Sequence, residues 1–273
     1  FIKIVNRAIK EGAAKWTRWL DAPVKTEKDG REVTTDPEGM KYVLDMLLME
    51  AGVDIAFHSF VHFALCDDNK IEEIDLVGKF GKQSLKAKTY IDCTGDADMA
   101  VLCDLDFLSA SVGAISPGVR IGGLDTKIVR EQEKARVEKH GICEPLEYEE
   151  GGFNTFGWLS LRGEGSERLY DATHVKNVCK LTIEDLTKAE IYGRDIMHRA
   201  VKKLRGREGS GYENAYITGT GTHLGLRKSR VPLTQYYMSD EDMNCDFPDS
   251  IAIGGDVASD YGYIKIPFRT LLP

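Results

Sequence analysis

With 273 residues, 42% of them hydrophobic and 29% charged, the chain has a globular composition able to bury one large core or two moderate ones. Its formal net charge of −8 argues against a nucleic-acid surface, because phosphate binding leans on clustered Lys and Arg. No stretch reaches the ~18 uncharged apolar residues that a membrane helix needs, so a soluble protein without a membrane partner is expected.

The chain opens with Val5, Ala8, Ile9, Ala13, Trp16 and Leu20 at steps of three and four, which predicts an amphipathic surface helix. Lys3, Arg7, Lys10, Lys15 and Arg18 are spread through it, unlike the layout of a signal peptide. The first residue is Phe1 rather than Met, so residues upstream are expected to be missing. Lys28-Asp29-Gly30 then predicts a hairpin turn between extended runs at 24–27 and 31–34. Asp36 predicts a helix cap with Pro37 in the first helical position. Met40, Val43, Leu44, Leu47 and Leu48 form the apolar face of that helix, and Gly52 ends it.

From residue 53 the pattern turns β-rich, with runs at 53–65, 71–77 and 84–88 and turns at 67–70 and 78–81, which predicts an antiparallel meander. A short apolar strand at 90–93 follows, running into Thr94-Gly95-Asp96 and a helix start. Such a turn brings the chain close to a ligand and aims backbone N–H groups at an anion, since Gly95 has no side chain. Ordinary turn chemistry explains the same residues equally well. His58 and His62 would share one face of the first strand with no third ligand in phase, so no metal is expected. The six cysteines (Cys66, Cys93, Cys103, Cys143, Cys179, Cys245) form no C-x-x-C pair. Reduced thiols in a cytoplasmic protein are the default, with Cys93 a small buried hydrophobe.

Beyond residue 106 a strand is predicted at 119–124 and a polar helix at 125–140. Thr182-Ile183-Glu184-Asp185 opens the clearest helix, continued by Leu186, Ala189, Ile196, Ala200 and Leu204. Strands are predicted at 215–218, 231–237, 251–253 and 264–268. The composition shift near 105 and the return of strand character near 250 suggest a second domain inserted into the first.

Gly219-Thr220-Gly221-Thr222-His223-Leu224-Gly225 imitates a dinucleotide loop, but the extended run containing Pro232 stands where a helix must follow, so that reading fails. What remains is His223 with Arg227, Lys228 and Arg230, three cations within four residues of an acidic chain. This pattern suits an anionic substrate or the electron-rich edge of a reduced flavin. It suits a solvated basic turn as well.

Four stretches together resemble the FAD-dependent oxidoreductase family, related to flavoproteins of fumarate reductase and glutathione reductase type. They are Ala51-Gly52-Val53-Asp54-Ile55; Ala87-Lys88-Thr89-Tyr90-Ile91-Asp92-Cys93-Thr94-Gly95-Asp96-Ala97-Asp98; Ile183-Glu184-Asp185-Leu186 through Ala189-Glu190 and Gly193-Arg194, continuing to His223-Leu224-Gly225-Leu226-Arg227-Lys228-Ser229-Arg230; and Ile251-Ala252-Ile253-Gly254-Gly255 with Ile266-Pro267-Phe268-Arg269-Thr270-Leu271-Leu272-Pro273. The resemblance implies an α/β fold: a Rossmann-type FAD/NAD(P)-binding flavin domain interrupted by an α+β substrate domain. The flavin domain would comprise 1–104 and 251–273, and the inserted domain 105–250.

The resemblance further implies that FAD lies close to Thr94, Gly95 and Asp96, and that Val61 touches its adenine through the backbone. His223, Arg227 and Arg230 would face the isoalloxazine or the substrate. Lys228 stands where relatives commonly carry an acidic residue. The family's opening strand, glycine-rich pyrophosphate turn and acidic ribose ligand do not precede Phe1, so the first βαβ unit is expected to lie outside a chain that represents a middle portion of a longer enzyme. The expected activity moves a hydride or electron pair between FAD and a small, anionic substrate. The rival reading is a flavin-free binding or structural domain of the same fold that recognises an acidic ligand.

Overall fold

Gly12 decides how the chain begins. It takes the left-handed conformation (φ +71) at the end of helix α1 (Ile2–Lys10), where the Ala13 N–H closes back onto the Ala8 carbonyl at 2.7 Å. The helix therefore stops before Trp16, and residues expected to extend it form strand β1 (Ala14–Thr17). β1 pairs antiparallel with β2 (Glu32–Thr35), Ala14 opposite Thr35. The turn Lys28-Asp29-Gly30 and the run at 24–27 lie outside the described residues, while 32–34 of the second predicted run fall in β2; the described residues of this computed structural model are 2–17, 32–68, 70–109, 115–116, 118–140, 153–159, 168–172, 181–226, 229–242, 245–255 and 263–273.

Helix α2 (Pro37–Glu50) starts as the sequence predicts, with the Asp36 carboxylate accepting from the Gly39 N–H at 3.1 Å. Its Val43 is fully buried with Ala8, Ala13 and Ala14, and Met40 and Leu47 pack against this cluster. Leu44 and Leu48 of the predicted apolar face remain exposed.

Strands β3 (Ser59–Asp67), β4 (Lys70–Gly78) and β5 (Gly81–Leu85) form the predicted meander in the order β3-β4-β5. β3 starts later than expected, because His58 has φ +57 and stands before the strand. A register shift between Val61 and Phe63 then separates the pleat of His62 from a regular alternation. The two histidines accordingly share no strand face.

Asp75 is buried on β4 and takes hydrogen bonds from the Lys82 ammonium at 2.5 Å and the Ser84 hydroxyl at 2.6 Å. These donors hold its carboxyl below the ordinary value of 3.8. Because the folded pKa is depressed, the stabilisation is complete above the ordinary value and is lost as pH falls through the folded one. Urea unfolding at pH 7 and at about pH 3 is expected to show an acid loss that Asp75→Asn reduces. Equal acid sensitivity in the variant would refute this.

The predicted strand at 90–93 does not form: no described strand takes up its ladder, and Ile91 and Cys93 are exposed. An apolar run becomes a buried strand only where a neighbour supplies hydrogen bonds and cover. The helix start does follow, as α3 (Asp98–Leu102), leading to β6 (Phe107–Ser109). Cys66 of β3 and Cys103 after α3 are joined as a disulfide, where thiols were expected.

Short strand β7 (Ile115–Ser116) precedes β8 (Gly118–Gly122), helix α4 (Thr126–His140), β9 (Phe153–Leu159), β10 (Arg168–Ala172), helix α5 (Ile183–Arg205), β11 (Tyr216–Thr220) and β12 (Gly225–Leu226). β8, β9, β10 and β11 make a sheet in the order β11-β8-β10-β9, and β12 pairs with β7. α5 begins at the predicted cap, where Thr182 Oγ1 accepts from the Asp185 N–H at 3.2 Å. It buries Ala189, Ile196, Met197, Ala200, Val201 and Leu204. Val119 and Ile121 of β8 are fully buried.

The chain ends with β13 (Val231–Pro232), which pairs with β6, and with the hairpin of β14 (Ser250–Gly255) and β15 (Tyr263–Pro267). All pairings among the described strands are antiparallel in this mixed α/β protein. The backbone divides into two compact units, Phe1–Ile55 with Gly113–Arg227, and Ala56–Val112 with Lys228–Pro273. No helix among the described residues is long and apolar enough to cross a membrane.

Candidate functional site

Asp92 organises the turn that the sequence singles out. Its Oδ1 accepts from the Thr94 N–H at 2.9 Å and from Thr94 Oγ1 at 2.7 Å, while Oδ2 accepts from the Met99 N–H at 3.1 Å. Thr94 Oγ1 in turn accepts from the Asp98 N–H at 2.9 Å. Asp92 and Thr94 thereby cap α3 from a distance, which Ala97 in the N-cap position cannot do with a methyl side chain. The chain bends through Gly95 at φ +89 and Ala97 at φ +54. The second is a left-handed conformation that costs a non-glycine residue roughly 1–2 kcal/mol.

The far end of the chain holds this turn. Ser229 Oγ donates to Asp96 Oδ1 at 2.5 Å, and Arg230 Nη2 donates to Asp98 Oδ1 at 2.7 Å. Ser229 is buried, and Arg230 keeps 19% of its side chain exposed. Arg230 Nε is buried and has no hydrogen-bond partner among the described residues.

Within the unit 56–112 with 228–273, a cavity of about 680 Å³ opens beside the turn, a size suited to a small-molecule or cofactor site. Asp92, Cys93, Gly95 and Arg230 line it, together with Tyr236 and Leu271. The Tyr236 wall is braced. Its hydroxyl donates to Asp242 Oδ1 at 2.6 Å, which raises the phenol pKa and lowers that of the carboxyl. The Arg269 guanidinium lies 4.5 Å from the Tyr236 ring centre and 5.2 Å from that of Phe247, and donates to Asp249 Oδ1 at 3.1 Å.

The other sequence-predicted residues fall elsewhere. Val61 lies half-buried on β3 opposite Leu76, outside the cavity wall. His223 belongs to the unit Phe1–Ile55 with Gly113–Arg227 and is exposed. Its loop is fixed to α5: the Leu224 N–H donates to Glu190 Oε1 at 2.8 Å, and Leu224 packs on Gly193 so closely that an added Cβ would approach it to 2.8 Å. Arg227 and Lys228 lie outside the described residues. Of the sequence-predicted residues, Gly95 and Arg230 line the cavity, and Thr94 and Asp96 stand in the same turn as Gly95; Asp92, Asp98 and Ser229 were not singled out from the sequence. The Asp-x-Thr spacing of Asp92 and Thr94 carries a local capping signal.

The sequence matches the family described as FAD dependent oxidoreductase over residues 2–260. No curated protein matches it. Among solved structures it is similar to CabE, an aromatic hydroxylase from angucycline biosynthesis, at 12% identity and a TM-score of 0.44. That likeness covers 86% of this chain and 44% of the neighbour's, so the chain spans less than half of the neighbour's length. With a family match that runs almost from end to end, the chain belongs to the FAD dependent oxidoreductases, mixed α/β proteins of Rossmann type whose cofactor is FAD.

Proposed function

We propose that this chain forms part of a flavoenzyme in which Gly95, Thr94, Asp96 and Arg230 adjoin the flavin and His223 and Arg227 serve the substrate. One observation carries the reading: Arg230 lines a ligand-sized cavity together with Gly95, so a cation and a bend without a side chain border the same space. An arginine beside such a bend can meet a carbonyl or phosphate oxygen of a cofactor. The residues present therefore fit FAD.

When bound, FAD supplies a site that takes up or gives back a hydride, two electrons with one proton. Arg230 would donate to an acceptor atom of the flavin, and Gly95 would let the chain approach it. Arg227 would hold the negative charge of a small anionic substrate. His223, presented by the loop that Glu190 and Gly193 fix, would donate or accept the substrate's proton. In this proposal residues 1–104 and 251–273 serve the flavin together with Arg230, and the rest of 105–250 serves the substrate. The compactness of 56–112 with 228–273 supports joining the turn to the returning segment. A cytoplasmic setting would have to accommodate the bonded pair Cys66–Cys103.

The test is a titration of the purified chain with FAD, followed by quenching of flavin fluorescence and by the shape of the visible absorption band. Saturable quenching that Arg230→Gln weakens about tenfold is expected. An FAD spectrum unchanged at every protein concentration would favour the flavin-free reading.

A further inference from the structure

Tyr90, Tyr236 and Tyr237 all line the cavity of the unit 56–112 with 228–273, and each hydroxyl is engaged by the protein itself. Tyr90 accepts from the Ala87 N–H at 2.9 Å and donates to the Glu72 carbonyl at 3.3 Å. Tyr237 accepts from the Thr234 N–H at 2.7 Å and donates to the Pro232 carbonyl at 3.1 Å, while Tyr236 donates to Asp242. Hydroxyls held in this way fix the rings, so what the tyrosines offer an occupant is aromatic surface.

The groups that would hold an anion are spent. The Thr94 and Met99 N–H groups donate to Asp92, and the Asp98 N–H donates to Thr94 Oγ1, so side chains of the turn occupy the amides that open it. Among the described residues, Asp92 and Arg230 are the charged side chains that line the cavity, and Arg230 is paired with Asp98. With Asp96 in the same turn, three carboxylates stand against one described cation. A diphosphate would add negative charge to that excess.

We propose that this cavity receives an uncharged planar aromatic group and not the diphosphate of a dinucleotide. Stacking against rings already held in place supplies the attraction at little cost in ordering. Which ring enters rests on the flavin reading: the isoalloxazine of FAD where that reading holds, a free aromatic substrate where it fails.

Lumiflavin, the flavin ring system without its phosphate-bearing chain, and inorganic pyrophosphate are the probes, used on the purified chain at constant ionic strength. Saturable quenching of lumiflavin fluorescence is expected, with an affinity that excess pyrophosphate changes by less than about twofold. Tyr236→Leu and Tyr237→Leu should each weaken lumiflavin about fivefold. Tyr236→Phe keeps the ring and loses the bond to Asp242, and should stay within about twofold of the unaltered chain.

Competition with FAD identifies the source of the ring. Displacement of lumiflavin by FAD supports both the proposal and the flavin reading. Lumiflavin that binds as expected and is not displaced supports the proposal and removes FAD from this cavity. No saturable quenching, displacement by pyrophosphate, leucine variants that bind like the unaltered chain, or Tyr236→Phe as weak as Tyr236→Leu would each overturn the proposal. FAD binding that pyrophosphate blocks would overturn it too, while leaving the flavin reading in place.

Discussion

Opening the Cys66–Cys103 bond is expected to destabilise the unit 56–112 with 228–273 by up to about 4 kcal/mol, the loop-entropy value for a closure of this length. The bonded residues are 37 apart in sequence, with Cα atoms 5.9 Å from one another. Between them run β4, β5, the 92–98 turn and α3, so the bond closes a loop around most of the cavity's near wall. Unfolded, that loop gains much of its freedom back when the link is broken, while the folded state loses little. Far-UV circular dichroism during urea titration, with and without dithiothreitol, should show a midpoint lowered by more than about 1 M, given typical urea slopes. The Cys66→Ser, Cys103→Ser double variant should reproduce this lowering and no longer respond to dithiothreitol. Identical curves for oxidised, reduced and double-variant protein would remove the bond from any account of stability.

Gly123→Ala is expected to be the most damaging single glycine replacement in the other unit. Gly123 sits at φ +74 just past β8, and a Cβ there would lie 2.2 Å from the carbonyl oxygen of Asn214. Left-handed strain and a forced backbone shift together should cost about 2–5 kcal/mol. The neighbouring Gly211, at φ +79, would bring its Cβ to 2.8 Å from the Asp125 carbonyl and should cost somewhat less. Both contacts belong to one place: the loop before β11 nests into the start of α4, where the Asp125 N–H donates to the Gly211 carbonyl at 2.9 Å. Gly209→Ala is the control, because its φ is +70 but nothing lies within 4 Å of the added carbon. It should cost only the conformational part, about 1–2 kcal/mol. Thermal unfolding of the three variants that ranks Gly123→Ala no worse than Gly209→Ala would contradict the close approach.

Features set by neighbouring residues were legible in the sequence. Asp36-Pro37 and Thr182 each cap a helix through atoms two or three residues away, and the meander turns at 68 and 78–81 announce themselves by composition. What failed depended on distant partners. The apolar run at 90–93 looked like a buried strand because composition records hydrophobicity and not whether a neighbour exists. Trp16 carried helical spacing past Gly12, yet β2 offered β1 a ladder and the helix had already closed. In the candidate site, Gly95 declared a bend by its type alone. The pairing of Ser229 with Asp96 spans 133 residues and leaves no local trace in a single sequence.

The discontinuous unit also has a consequence for synthesis. Residues 56–112 are synthesised before any of 113–227, and 228–273 after them. At about 5–20 residues per second, the acidic bend and its meander wait about 6–23 s while 113–227 are made, before the cation and hydroxyl that will hold them. During that interval Phe57, Phe60 and Ile91, each exposed in this structure, offer a nascent-chain chaperone an apolar handle.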